Sequence, residues 1–145
     1  MTPTATSAQT PSAANRYLLD VNALVALGFA NHEFHQRVAV WLRALKFPPL
    51  ATCSITELGF IRVLAQAAAY GFTIAQARTL LAQIKQAELP SFTFIQDSHH
   101  ASQLPRWVKA PRQITDGHLV KLAAANSSVL ATLDTGIPGA YLIPR

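Results

Sequence analysis

A chain of 145 residues, half of them apolar and only 13% charged, can bury about 70% of its unfolded surface in one domain and is too apolar for disorder. Twelve Lys and Arg against seven Asp and Glu give a net charge of +5, which suits a polyanion such as RNA or an acidic protein segment, or else only maintains solubility. The single cysteine, Cys53, excludes an internal disulfide and argues against a cysteine-based zinc site, and no apolar run approaches the roughly 18–20 residues of a membrane span.

Residues 1–15 are rich in Thr, Ser, Ala and Pro, carry no charged side chain, and lack the basic start and apolar stretch of a signal peptide. They read as a flexible N-terminal extension ahead of one domain over 16–145, with a cytoplasmic address expected. Tyr17–Asp20 is an apolar run ending in an acid, and reads as a strand that turns straight into a helix over Val21–Ala30. Asn31 is placed to cap a second helix, in which Phe34, Val38, Trp41, Leu42 and Leu45 form one apolar stripe. Pro48-Pro49 ends it, and Leu50–Cys53 is a second strand in which Cys53 is expected to be a buried, inert thiol.

Ser54 opens a third helix that Gly71 stops, and Thr73 with Gln76 forms a capping-box pair for a fourth, with Ile74, Ala77, Leu80, Leu81 and Ile84 on its buried face. Ser91–Ile95 alternates as a strand, Asp97 is placed to cap a brief helix through Gln103, and Leu104–Gln113 reads as a loop with two prolines. Thr115 begins the last long helix, followed by strands at Val129–Leu133 and Ala140–Ile143. Short apolar strands alternating with helices predict an α/β fold, a parallel sheet covered on both faces.

Four of the seven carboxylates stand where such a fold gathers its ligands, at the carboxyl ends of strands. Asp20 and Asp134 each follow an apolar strand, while Glu57 and Asp116 lie in first helical turns. Each has a local explanation: Asp20 and Asp134 as turn or cap residues, Glu57 as the far end of a Ser54-x-x-Glu57 capping box, Asp116 as a favourable charge at a helix N-terminus. Together they point further. Clustered like charges raise one another's pKa unless a cation balances them, and oxygen ligands suit Mg²⁺ or Mn²⁺, which could activate a water against a phosphodiester.

Other chemistries lack their residues. There is no Gly-rich phosphate loop, and Asp20-Val21-Asn22 lacks the second Asp of a haloacid-dehalogenase-type phosphatase. His99 and His100 are adjacent and read as a solvated pair rather than zinc ligands. His32, His35 and His118 read as surface histidines.

The segments Leu18-Leu19-Asp20-Val21-Asn22-Ala23-Leu24, Ser54-Ile55-Thr56-Glu57-Leu58, Ile114-Thr115-Asp116-Gly117-His118-Leu119 and Ala131-Thr132-Leu133-Asp134-Thr135-Gly136, in this order, resemble the PIN-domain ribonucleases, and within them the VapC-type toxins of toxin–antitoxin pairs. The resemblance spans about Tyr17 to Ile143. It implies a three-layer α/β/α sandwich with a central, mainly parallel sheet, and a Mg²⁺-dependent endoribonuclease (Mn²⁺ as an alternative metal) acting on RNA such as tRNA or rRNA. It also implies a VapB-like antitoxin partner and a homodimer. The catalytic and metal-binding acids implied are Asp20, Glu57, Asp116 and Asp134, with Asn22 and Thr132 as auxiliary residues. Gly117 departs from the family's usual Ala, which costs the helix start roughly 1 kcal/mol without removing a ligand.

Beside such a site, Arg62, Arg106, Lys109 and Arg112 become candidates for RNA phosphates, and Trp107 for base stacking. Trp107 packed into the core or an interface, and Arg62 paired with an acid or partner, stand as alternatives. Two rival functions also stand: a PIN-like module that binds RNA or protein without cutting, and a PIN nuclease directed at DNA.

Overall fold

The computed structural model describes residues 16–145; the expected N-terminal extension lies outside them. Five strands form one parallel sheet: β1 (Arg16–Leu19), β2 (Leu50–Cys53), β3 (Phe92–Ile95), β4 (Ser128–Thr132) and β5 (Tyr141–Leu142), in the order β3-β2-β1-β4-β5. Five α-helices connect them: α1 (Val21–Gly28), α2 (His35–Ala44), α3 (Ser54–Gln66), α4 (Ile74–Gln86) and α5 (Ile114–Ala125). The expected α/β/α sandwich is therefore present.

Alternation along β1 divides the core in two. Tyr17 and Leu19 face a cluster with Leu24, Trp41, Phe60 and Leu64, beneath α1 to α4. Leu18 faces the other side, where Ala51, Cys53, Leu119, Leu122 and Leu130 pack under α5. Cys53 is fully buried, as expected of an inert thiol. The chain runs from β1 to β2 and β3 on one side, then crosses to β4 on the other. The strand order thus reverses between β1 and β4, and such a switch point opens a crevice at the carboxyl ends of its two strands.

Several helix starts depart from expectation. Asn31 caps nothing: α2 begins after Phe34 without a side-chain cap, and the Phe34 N–H donates to His32 Nδ1 at 3.0 Å. His35 Nδ1 instead lies 2.7 Å from the Ala26 carbonyl oxygen, tying the start of α2 to α1. The Thr73–Gln76 capping box forms as expected, but Ile74 is exposed rather than buried. The brief helix expected through Gln103 is a 3₁₀ turn at Ala101–Gln103, and its N-cap is His100 rather than Asp97. The box at α3 is shifted by one residue: Cys53 is the N-cap and Thr56 Oγ1 accepts from the Cys53 N–H at 3.0 Å. Glu57 is consequently free of any capping duty.

Gly117 has a packing reason of its own. A Cβ there would collide with the Val108 side chain and crowd Pro105, so the missing methyl lets the 105–108 segment lie directly on α5. Gly117→Ala should therefore lower stability by about 1 kcal/mol net, because overpacking of about 1–3 kcal/mol exceeds the gain in helix propensity. Thermal unfolding tests this, and a raised Tm would contradict it.

Candidate active site

The β1/β4 crevice holds three of the four expected acids. Asp20 terminates β1 and is 5% exposed, a buried carboxylate with no cation against it among the described residues. It caps α1 from the crevice: Oδ1 accepts the Ala23 N–H at 2.9 Å. Burial pushes its pKa up to about 6, and the nearby charges of Asp134 and Asp116 push the same way. Bonds from the Thr132 side chain and the Ala23 N–H hold it back only in part. Asp116, in the first turn of α5, is also raised, by burial and then by Asp134. Asp134 stands exposed at the rim just beyond β4, and its N–H donates to Thr132 Oγ1 at 3.0 Å. Thr132 is buried, holds the Asp134 N–H and lowers the Asp20 pKa; Asn22 is exposed on the first turn of α1.

Glu57 does not join them. Its Oε2 accepts from Thr52 Oγ1 at 2.5 Å and from Lys85 Nζ at 2.5 Å. Lys85 reaches it from the last turn of α4, with its ammonium 5.4 Å from the Phe94 ring centre. Among the described residues, no three His, Cys, Asp or Glu side chains converge closely enough to hold a metal ion between them. Glu57 has Lys85 as its cation, whereas the three aspartates have none among the described residues. The aspartates share one electrostatic field, open to water at Asp134.

The PIN domain family matches residues 17–141. Ribonuclease VapC38 of Mycobacterium tuberculosis is 37% identical over 122 residues, covering 83% of this chain and 86% of that protein. The chain belongs to the PIN-domain family, on its VapC branch. Ribonuclease VapC44 of the same organism shares 33% identity over 135 residues, 86% of this chain and 94% of its own. The crystal structure of Mycobacterium tuberculosis VapC20, titled a sarcin–ricin loop cleaving toxin, matches with a TM-score of 0.57. That match covers 83% of this chain and 89% of that one at 14% identity, and speaks for the fold.

In this PIN domain the expected cationic residues are scattered. Arg106, Lys109 and Arg112 are exposed on the segment leading into α5, and Trp107 is half-buried there. Arg62 is exposed on α3 and lines a recess of about 420 Å³ with Leu58, Ile61 and Ile74. No helix among the described residues is long and apolar enough to cross a membrane.

The structure also adds residues. Asp97, two positions beyond β3, accepts the His99 N–H at 3.0 Å through Oδ1 and contacts His118 Nε2 at 2.5 Å through Oδ2. Burial would raise its pKa, but these partners outweigh it and leave the carboxyl below its ordinary value. His118 is therefore a paired histidine, and His99 is turned inward while His100 alone is exposed. The signal for Asp97 was the one that found Asp20 and Asp134, an acid just past a strand. Nothing local in the sequence marked Lys85 or Thr52.

Proposed function

We propose that this PIN domain is a divalent-metal-dependent endoribonuclease, the toxin of a VapBC-type pair, hydrolysing RNA phosphodiester bonds with Asp20, Asp116, Asp134 and Glu57 as its acidic site. The observation that carries it is Asp20: a buried carboxylate at the sheet's switch point, with two more aspartates in its field and no balancing cation among the described residues. Buried charge of this kind is costly unless an ion compensates it. An all-oxygen donor set suits Mg²⁺ or Mn²⁺, and an ion that takes one or two carboxylates directly and keeps its waters needs no tighter convergence than this.

When bound, such an ion would supply positive charge to the scissile phosphate and acidify the attacking water. The chain's own residues do the rest. Asp20 and Asp116 would hold the ion, and Asp134, open to solvent, would accept a proton from water at the rim. Thr132 keeps Asp20 and the Asp134 backbone in fixed register. Glu57 is available at little cost, because a partly exposed ion pair such as Glu57–Lys85 is worth about 0–1 kcal/mol. The ribonuclease and VapC names of the relatives support RNA as substrate, tRNA or rRNA among the candidates, and a VapB-like antitoxin as partner. A homodimer acting in the cytoplasm belongs to the same reading.

The Glu57–Lys85 pair favours one rival, a module that binds RNA without cutting it. Metal removal separates the two. Purified protein should cleave total RNA with added Mg²⁺ or Mn²⁺, lose that cleavage in EDTA, and leave matched DNA intact. Cleavage that survives EDTA would exclude the metal site. Absence of cleavage with tight RNA binding would favour the binding module.

A further inference from the structure

A recess of about 430 Å³ lies between α3 and α4, lined by Glu57, Ile61, Arg78, Leu81, Lys85 and Gln86 among others. Ile61 and Leu81 make it apolar on one side. Arg78, Lys85 and Gln86 bring two cations and an amide, against Glu57 as the one carboxylate. Arg78 and Lys85 are seven residues apart on α4, so they project from the same side, about 10.5 Å apart along the axis. Arg78 is exposed and has no acidic partner among the described residues.

The recess meets the acidic crevice at Glu57. β2 neighbours β1, and the pairing of Leu18 with Ala51 sets Thr52 alongside Leu19, the residue before Asp20. Thr52 holds Glu57 through Oε2. A Cβ on Gly59 would run into the Val21 side chain, so the start of α3 lies against the start of α1, which Asp20 caps. Glu57 thus stands one strand over from Asp20, at the same edge of the sheet.

Glu57 Oε2 also takes the Lys85 ammonium, at 2.5 Å, and cancels its charge. Lys85 has a second hold, the Phe94 ring 5.4 Å away, so its place does not depend on Glu57 alone. With side chains 31% and 19% exposed, such a pair is favoured by no more than about fivefold.

We propose that this recess is a nucleotide subsite for the bound RNA, with Arg78 and Lys85 for a backbone phosphate and Glu57 as a mask on Lys85. It rests on the RNA-cleaving reading above and deepens it. A strand entering the crevice passes Glu57, and the apolar side of the recess with the Gln86 amide suits a base splayed from that strand. Turning Glu57 toward the aspartates, as that reading requires, restores the Lys85 charge beside the RNA backbone.

The test is a double-mutant cycle on the full chain in EDTA. A short fluorescein-labelled single-stranded RNA of mixed sequence reports binding by fluorescence anisotropy across a salt series. Glu57→Gln keeps the shape and an oxygen for Thr52. It should tighten binding about fivefold and steepen the logarithmic salt slope by about 0.7, one phosphate contact on a single strand. Glu33→Gln, at an exposed acid between α1 and α2, is the charge-matched control and should change both only slightly. Lys85→Met should leave the parent within about twofold, yet erase the gain of Glu57→Gln. Arg78→Ala, unmasked throughout, should weaken binding about fivefold in either background. Equal effects of the two glutamate substitutions, a gain that survives Lys85→Met, or an Arg78→Ala without effect would overturn the subsite. Binding of polyglutamate, and not of RNA, that depends on Arg78 and Lys85 would overturn it too, in favour of an acidic protein partner. Cleavage by the unmodified protein with Mg²⁺ is scored separately. No cleavage alongside an intact cycle would remove the nuclease reading and keep the subsite; normal cleavage without the coupling would do the reverse.

Discussion

Asp20→Asn is expected to raise the stability of the metal-free protein at neutral pH while reducing RNA cleavage by more than about a hundredfold. The two effects have one cause. Asp20 is 5% exposed, and burial, with Asp134 and Asp116 adding to it, lifts its pKa from 3.8 to about 6. A shift of about 2 units is worth about 3 kcal/mol. Because the folded value lies above the unfolded one, the stabilisation from this group is complete below about pH 4 and is lost as pH rises through about 6. At pH 7 the wild type holds the charge at a cost that asparagine avoids. Asparagine also keeps an oxygen for the Ala23 N–H that starts α1.

In EDTA, the variant should therefore melt several degrees above wild type at pH 7, at about 3 °C per kcal/mol for a domain of this size. The gap should close toward pH 4. Loss of activity follows because even residues that merely orient a metal ligand cost about ten- to a hundredfold when removed. A variant that is less stable at pH 7, or that still cleaves at the wild-type rate, would refute the role of Asp20 as a metal-binding acid.

How far this site could be read in advance depends on the distance over which each interaction acts. The strands were legible because β1, β2 and β4 are short apolar runs buried on both faces, and the Thr73–Gln76 box because its partners are three residues apart. Asp20 was legible as an acid after a strand, and the bond by which it caps α1 also holds it, buried, at the end of β1. The position of the crevice between β1 and β4 was not, since strand order is fixed by pairing across the sheet. The partners of Glu57 were hidden for a similar reason: Lys85 is 28 residues away.

Local rules failed where two neighbours competed for one task. Ser54-x-x-Glu57 fits a capping box, yet Thr56 bonds back to Cys53 and takes the position, which frees Glu57 for Thr52 and Lys85. Asp97 fits a helix cap, but His118, 21 residues on, draws one of its oxygens away. Gly117 looks like a weak point in a helix until the close approach of Val108 supplies its reason. In the first case a rival local bond won; in the other two a contact farther along the chain overrode a sound local preference.

Thr132→Val should weaken metal binding about ten- to a hundredfold while leaving the fold intact, and Thr132→Ser should restore it. Thr132 is buried, accepts the Asp134 N–H, and its side chain restrains the pKa of Asp20. Valine keeps the shape and removes the hydroxyl, so Asp20 loses a bond to its charged form and its pKa climbs further above about 6. Since a carboxylate must be ionised to bind a cation, the acid limb of the cleavage profile should move to higher pH, and excess Mg²⁺ should recover part of the rate. The orphaned Asp134 N–H adds a stability cost of about 1–3 kcal/mol, well short of unfolding a domain of ordinary stability. Calorimetric titration with Mn²⁺ reads the affinity directly. If the valine variant binds Mn²⁺ as wild type does and its pH profile stays in place, Thr132 is only a core residue, and the acids are aligned by the backbone of β4 alone.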